Sequence, residues 1–563
     1  MWPMARRGER TPHRSLYRLL DVSVLGLAML LLVPLLHLWS LRIFHPLDLE
    51  WMEGGMLGHA WRIKHGLPLY DAPASEFVPY LYPPGYAAVV AALSMFFPLD
   101  YPLARTVSLA SSFAAAGAIV WCGARQLRDP MMGILGGFLF LLCYGGSGAF
   151  YDLARVDGLA IGLLSWAIVL GAERNEKARV AAAVFLCAAF LVKHSYALFG
   201  LPMMLGMWAR DGFRKALRFG VLAAAPAFFL TLWLNHVTHG GFIAYVVGVP
   251  LAHPMIRHQA FPGSFGELAR LLGIAWAVAI AMILMRGMKL GVYRGVVIVG
   301  IPALCGAIGV ALMPHLAWPV GVGLLDDSIR MGTLVLFGAT VGASIVVSLS
   351  YLAARKVSWR WVYGGGIGLC ALLISALMRG HQGGYTNVLI PGHWALVVAM
   401  TTASARLRHA WPGWPSFAAC AVAWSAQLTW VAEPNDIARL SPRAEDVAIG
   451  RRIVEQVRRC KAPVLSPFAA WLPVQAGFAP SSHLISLWDI DHPGGARERM
   501  IDEFRAAVRD HHWGCIVDDE RPLLDYGVRT EYPNTVPLNV PDDALVPTTG
   551  WRGRPRVIRL APK

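Results

Sequence analysis

Thirteen apolar stretches divide the first 431 of 563 residues, centred on about 19–41, 104–124, 131–150, 158–172, 180–193, 197–209, 219–236, 266–285, 295–313, 331–353, 361–379, 388–404 and 413–431. The first is long enough to cross a hydrocarbon core of roughly 30 Å as a helix. Such a chain cannot bury this much apolar sequence in one water-soluble core. Composition agrees: 56% of residues are hydrophobic and 15% charged, where a soluble protein carries about 25% charged residues, and the mean hydropathy is +0.49. An ordinary soluble enzyme, a disordered chain and a fibrous one are excluded. The expected class is an α-helical polytopic membrane protein with about 13 transmembrane helices, residues 1–431, followed by a small extracytoplasmic α/β domain, residues 432–563.

The formal charge of +15 sits entirely in the hydrophobic part, because residues 432–563 hold 18 Lys and Arg against 18 Asp and Glu. Alternate threading from a cytoplasmic N-terminus puts the basic start (Arg6, Arg7, Arg10, Arg14, Arg18) and the segments RQLRD, ERNEKAR, RDGFRKALR, RGMKLGVYR, ARKVSWR and ARLRH on one side. These hold 22 basic residues against 5 acidic ones, and the rest of the first 431 residues hold 10 against 12. The positive-inside rule makes the first side cytoplasmic, so the charge marks topology and no nucleic-acid partner is expected. The start lacks a small-residue cleavage site and reads as a retained anchor. A short apolar run at 85–97, preceded by YPPGY, reads as an embedded or interfacial helix in a first outer loop of about residues 42–103.

The tail has ordinary polarity. RAEDVAIGRRIVEQVRR and ARERMIDEFRAAVRD read as amphipathic helices, APVLSP and GCIVDDE as short strands. Six of eight cysteines lie in apolar stretches. Cys460 and Cys515 fall in the tail, where a disulfide is chemically permitted.

Ionisable residues at span ends are costly, and point to function by default. The first outer loop carries Asp48, Glu50 and Glu53, each able to take a proton from an attacking hydroxyl, or else simply solvated at headgroup level. The second, FYDLARVDGLAIG, carries Asp152, Arg155 and Asp157, of which Asp152 and Arg155 could pair across one turn. FLVKHSYALFG places Lys193 and His194 at the top of the fifth span, where Lys193 is a natural phosphate counter-ion or a snorkelling side chain. Arg105, at the start of the second span, is a further phosphate candidate. Later loops carry His236, His239, His253, His258, His315, Asp326, Asp327 and Arg330, then GHQGGYTN, in which Asn387 offers an amide to sugar or phosphate oxygens. No metal-ligand spacing accompanies the histidines, and neither a Walker A sequence nor G-x-G-x-x-G is present. No cofactor is called for with certainty, and a divalent cation stays open.

These features together resemble the GT-C glycosyltransferase superfamily: many spans, acids directly after span one, a later YPPGY, a D-x-x-R-x-D loop, a Lys at the top of span five and a C-terminal outer domain. The likeness is greatest to the bacterial aminoarabinose transferase and protein O-mannosyltransferase-like families. Many relatives have an Asp-Glu dipeptide where this chain reads D-L-E-W-M-E. The resemblance implies an inverting glycosyltransferase of the bacterial inner membrane, moving a hexosyl or pentosyl group from a polyprenyl-phosphate donor to an envelope glycan, lipid or protein. It implies Asp48 as base, with Glu50 and then Glu53 as competitors, and Lys193, Arg105 and Arg155 on the donor phosphate. Asp152 and Asp157 would orient the sugar, the acceptor or an Arg; Tyr82 and Tyr86 would flank the donor, with His194 and Asn387 also touching substrate. The outer domain would handle acceptor or cover the site.

The alternative is a secondary transporter or flippase for a lipid-linked or polar solute. Transporters show internal repeats and midplane binding groups, whereas here the charges gather on the outer side and the span count is odd. A membrane scaffold would leave the acid clusters unexplained.

Overall fold

Several helices in this chain start where the sequence supplies a side-chain acceptor for a first N–H group, at Asp100, Asp129, Asn175 and His483. The first helix of the chain, α1 (Arg14–Ile43), runs for 30 residues, about 45 Å at 1.5 Å per residue. It buries Val24, Ala28, Leu35 and Trp39 while Leu19, Val22, Leu30 and Val33 stay exposed, as a lipid-facing surface requires. After it come two short helices, α2 (Glu53–Lys64) and α3 (Gly85–Leu93). Nine residues are too few to cross a bilayer, and Met95, Phe96 and Phe97, just after α3, are exposed. Asp100 caps α4 (Tyr101–Trp121) and Asp129 caps α5 (Pro130–Leu142), each with a proline in the first turn. Next come α6 (Val156–Gly171), α7 (Glu176–Val192, capped by Asn175), α8 (Gly200–Asp211) and α9 (Phe213–Val237).

The computed structural model describes residues 14–289, 358–520 and 525–562. The expected spans at 295–313 and 331–353, with His315, Asp326, Asp327, Arg330, Arg6, Arg7 and Arg10, lie outside the described residues. Before and after that segment stand α10 (Ser264–Lys289), α11 (Trp359–Gly380), α12 (Ile390–Ala410) and α13 (Trp414–Ala432). Among the described residues six helical segments are long and apolar enough to cross a membrane, and three shorter apolar helices accompany them. The sequence count of thirteen therefore reaches beyond the described residues. One expected span is corrected outright: 131–150 is helical only to Leu142, and the chain from Tyr144 to Arg155 is mostly irregular and buried. Polar sequence with buried backbone needs partners, and it finds them in Asn435, whose Oδ1 accepts from Gly145 N at 2.6 Å, and in the side chains described below.

One packing contact positions this segment. Gly158 and Gly162, four residues apart on α6, face α4 so closely that a Cβ at Gly158 would lie 2.5 Å from the Ser108 carbonyl, and one at Gly162 2.6 Å from that of Ser111. The G-x-x-x-G spacing thus lets two apolar helices approach by their backbones. It draws Arg155 and Asp157, at the N-terminus of α6, down beside α4 and the first loop.

Among the described residues the tail holds a four-stranded mixed sheet flanked by helices. Strands β1 (Val464–Leu465), β2 (Cys515–Asp518), β3 (Asn534–Pro537) and β4 (Val557–Leu560) lie in the order β1-β2-β4-β3, with only β1 and β2 parallel. Both amphipathic helices are present, α14 (Ala444–Val457) and α16 (Arg499–Arg509), with α15 (Leu484–Ile490) between them. A disulfide joins Cys460 to Cys515. The tail is bonded to the first loop: Thr548 N donates to Leu49 O at 2.9 Å, Val78 N to Ser482 Oγ at 2.8 Å, and Glu50 pairs with Thr549 in a parallel bridge.

Candidate active site

Four ion pairs with almost no solvent exposure hold the first loop, the second loop and the span ends together. Arg42, in the last turn of α1, meets Asp152 at 2.6 Å; Arg105 of α4 meets Glu53 at 2.7 Å; Arg155 meets Glu50 at 2.9 Å; and Lys193, just past α7, meets Asp157 at 2.7 Å. The local pairing of Asp152 with Arg155 does not occur. Each of the three charges in the second loop reaches a different element, so this loop is a junction and not a self-contained turn.

The pairs differ in what they leave over. Glu53 is fully committed: Oε1 accepts from Arg105 Nε (2.8 Å) and Ala154 N (2.7 Å), and Oε2 from Arg105 (2.7 Å), Leu49 N (2.7 Å) and Glu50 N (3.3 Å). Burial alone would raise its pKa, but the Arg105 guanidinium and these N–H donors outweigh burial and hold it below the ordinary value. Arg105 spends all five N–H donors, the other three on the carbonyls of Arg42, His45 and Leu47. The expectations of Glu53 as base and Arg105 as a phosphate ligand meet an ion pair with no lone pair or proton to offer. Asp152 is likewise enclosed, by Arg42 and by Tyr144 OH at 2.8 Å, and touches no open site. Tyr86 is buried between α3 and α4, bonded to Ala104 O and Ser108 Oγ.

Glu50 and Arg155 retain capacity. Glu50 Oε2 accepts from Arg155 and, at 3.2 Å, from Met52 N. Burial, only partly offset by Arg155 and reinforced by Glu53, raises its pKa to about 7. Arg155 donates its other amino group to Tyr82 OH at 3.0 Å, and its buried Nε has no partner among the described residues. Beyond Arg155 lie Asp157, Lys193 and Asn387, whose Nδ2 donates to Asp157 at 3.0 Å. His194 adjoins this group half-buried; burial first, then Lys193, lowers its pKa to about 4, so the ring is neutral at pH 7. Glu50, Arg155 and Tyr82 are thus linked by hydrogen bonds, as are Asp157, Lys193 and Asn387, with Arg155 close enough to Asp157 to act on it electrostatically.

Asp48 makes different contacts. Its Oδ1 accepts from Gly54 N (2.8 Å) and Tyr101 OH (2.9 Å), and it lines a cavity of about 530 Å³ between the first loop and the tail. Burial, with repulsion from Glu53, raises its pKa to about 8. The cavity wall also carries Arg439, Arg443, Asp446, Asp542 and Arg552.

Sequence reasoning did not find the tail's share of the Glu50 site. The segment around Gly550 crosses Glu50 so closely that a Cβ there would sit 2.9 Å from Oε1, which its positive φ of 76° also disfavours. His483 Nε2 bonds the Trp51 carbonyl at 2.8 Å while Nδ1 accepts from Ile485 N. Asp489, on the same helix, is half-buried, with a pKa raised to about 7 by burial and tempered by Arg155. Arg42 was also missed, although a cation ending the first span on the acid-rich side was a readable signal. Among the described residues no group of three or more His, Cys, Asp or Glu is arranged to hold a metal ion.

No family model and no curated protein matches the chain. Solved structures similar to it include ArnT from Cupriavidus metallidurans bound to undecaprenyl phosphate, with 14% identity, 98% of this chain and 100% of that chain covered, and a TM-score of 0.47. The same protein in the apo state gives 15% identity, coverage of 96% and 100%, and a TM-score of 0.47.

Proposed function

We propose that this chain is an inverting glycosyltransferase of the bacterial inner membrane. It would transfer a sugar from a polyprenyl-phosphate donor to an envelope acceptor at the extracytoplasmic face. The observation that carries the reading is the Glu50–Arg155 pair, a raised carboxyl and a cation with a spare buried donor, standing next to Lys193 on the outer ends of apolar helices. An acceptor hydroxyl oxygen attacks the anomeric carbon and its proton passes to Glu50. The bond from that carbon to the phosphate oxygen breaks, and its electron pair leaves with the polyprenyl phosphate. Arg155 and Lys193 stabilise the charge developing there. Asp157, held by Lys193 and Asn387, orients the lysine, and Tyr82 and His194 line the donor. A carboxyl with a pKa of about 7 is well matched to proton transfer near neutral pH. This moves the base from Asp48 to Glu50, which is paired with a cation that keeps a spare buried donor among the described residues.

The orientation follows from the 22 basic residues against 5 on one side, and the Cys460–Cys515 disulfide suits an oxidising compartment for the tail. The test is a deletion strain complemented with native protein or with Glu50→Gln. Mass spectrometry of envelope glycans, lipids and proteins should find one sugar lost in the deletion and restored only by the native chain, while purified Glu50→Gln still binds undecaprenyl phosphate. Restoration by Glu50→Gln would overturn the reading.

A further inference from the structure

Three tryptophans from distant parts of the chain meet beside Glu50. Trp51 follows it in sequence; Trp488 comes from α15 and Trp551 from the segment that crosses the carboxylate. Their ring centroids lie 6.1 Å (Trp51–Trp488), 6.1 Å (Trp51–Trp551) and 5.8 Å (Trp488–Trp551) apart. Trp51 is buried on Phe468 and Leu484 and anchors the group. Trp488 is half-buried, and Trp551 keeps 37% of its surface exposed. The Trp488 and Trp551 planes stand at 87°, forming a corner. The tail contributes both rings of that corner.

An exposed indole pays an apolar cost in water unless a ligand covers it. The electron-rich face of the ring attracts the C–H groups on one face of a pyranose, while the sugar's equatorial hydroxyls point outward to acids and amides. A protein acceptor or a bare lipid would not need a flat aromatic corner. Lys193 and Arg155, the groups suited to a lipid phosphate, come from span ends, whereas the corner comes from the tail. The geometry points to an acceptor subsite: Trp488 and Trp551, backed by Trp51, stack a saccharide ring of the acceptor, so the acceptor is a glycan or the sugar portion of a glycolipid. The inference rests on the glycosyl-transfer reading and names its acceptor class.

Membranes of a deletion strain supply radiolabelled lipid-linked sugar and the unsubstituted envelope glycan for a transfer assay with purified full-length protein. Trp551→Leu and Trp488→Leu should each raise KM for the glycan about tenfold, the worth of one ring contact, with kcat within about twofold. Trp551→Phe, which keeps an aromatic face, should recover most of the loss, and all three variants should bind undecaprenyl phosphate as the native protein does. An unchanged KM for the glycan in both Leu variants overturns the inference, as does a rise in KM for the lipid-linked donor instead. Loss of undecaprenyl phosphate binding without rescue by Phe would assign the rings a structural role, and label found on protein would refute the acceptor class. If native protein transfers no label at all, the glycosyl-transfer reading itself fails.

Discussion

Glu50 and Arg155 lie 105 positions apart in sequence and 2.9 Å apart in space, buried together at the meeting point of the first loop, the second loop and the tail. The pair is incomplete in the way a working site should be, since Arg155 Nε has no partner among the described residues. Glu50→Gln keeps the shape and a hydrogen-bond acceptor for Arg155 but removes the basic oxygen. Transfer should fall by about 10²–10⁴-fold with a smaller drop in melting temperature than the loss of Glu53 gives, whereas Asp48→Asn should retain most of the activity. The reverse result in a transfer assay would return the base to Asp48.

Glu53 and Arg105 should behave in the opposite sense. Breaking a buried ion pair leaves a charge uncompensated and costs about 3–5 kcal/mol. Glu53→Gln should therefore lower the yield and melting temperature of detergent-purified protein far more than Glu50→Gln does. A Glu53→Gln protein with native stability would show that the pair contributes nothing to the fold.

The rate should carry an acid limb. Only ionised Glu50 can accept the acceptor's proton, and burial raises its pKa to about 7. Transfer should decline as pH falls through about 7, approaching tenfold per unit below it. A kcat/KM profile flat from pH 5 to pH 8 would exclude Glu50 as the base.

Asp48 makes a stability prediction. Its folded pKa of about 8 lies above the ordinary carboxyl value, so the folded state favours the proton more than the unfolded state does. The stabilisation is full below the unfolded pKa and is lost as pH rises through about 8. Thermal melts of the native protein should fall between pH 5 and pH 8, and Asp48→Asn should flatten that slope. An identical slope in both proteins would show that Asp48 does not titrate this way.

Lys193 donates a charge-assisted hydrogen bond worth about 1.5–3 kcal/mol. If it serves the lipid phosphate, Lys193→Gln should weaken undecaprenyl phosphate binding by roughly 10–100-fold in a titration that leaves Arg42→Lys unaffected. Equal loss in both variants would mean that Lys193 acts through the fold alone.

Apolar runs, capping residues and charge asymmetry are local properties, and they carried the helical class and the starts of several helices. A buried acid, however, is defined by its partner, and partners here come from far along the chain. Asp48, Glu50 and Glu53 are equivalent in sequence; the tertiary structure sends one to a cavity, one to an arginine with a spare donor and one to a guanidinium with none. Asp152 and Arg155 are a turn apart, yet the close approach of α6 to α4 at Gly158 and Gly162 directs them to Arg42 and Glu50. The tail reads as a separate neutral domain because its composition changes abruptly. Only folding reveals that Thr549, Gly550 and Trp551 lie against Glu50, because contacts across 500 residues leave no periodicity in the sequence.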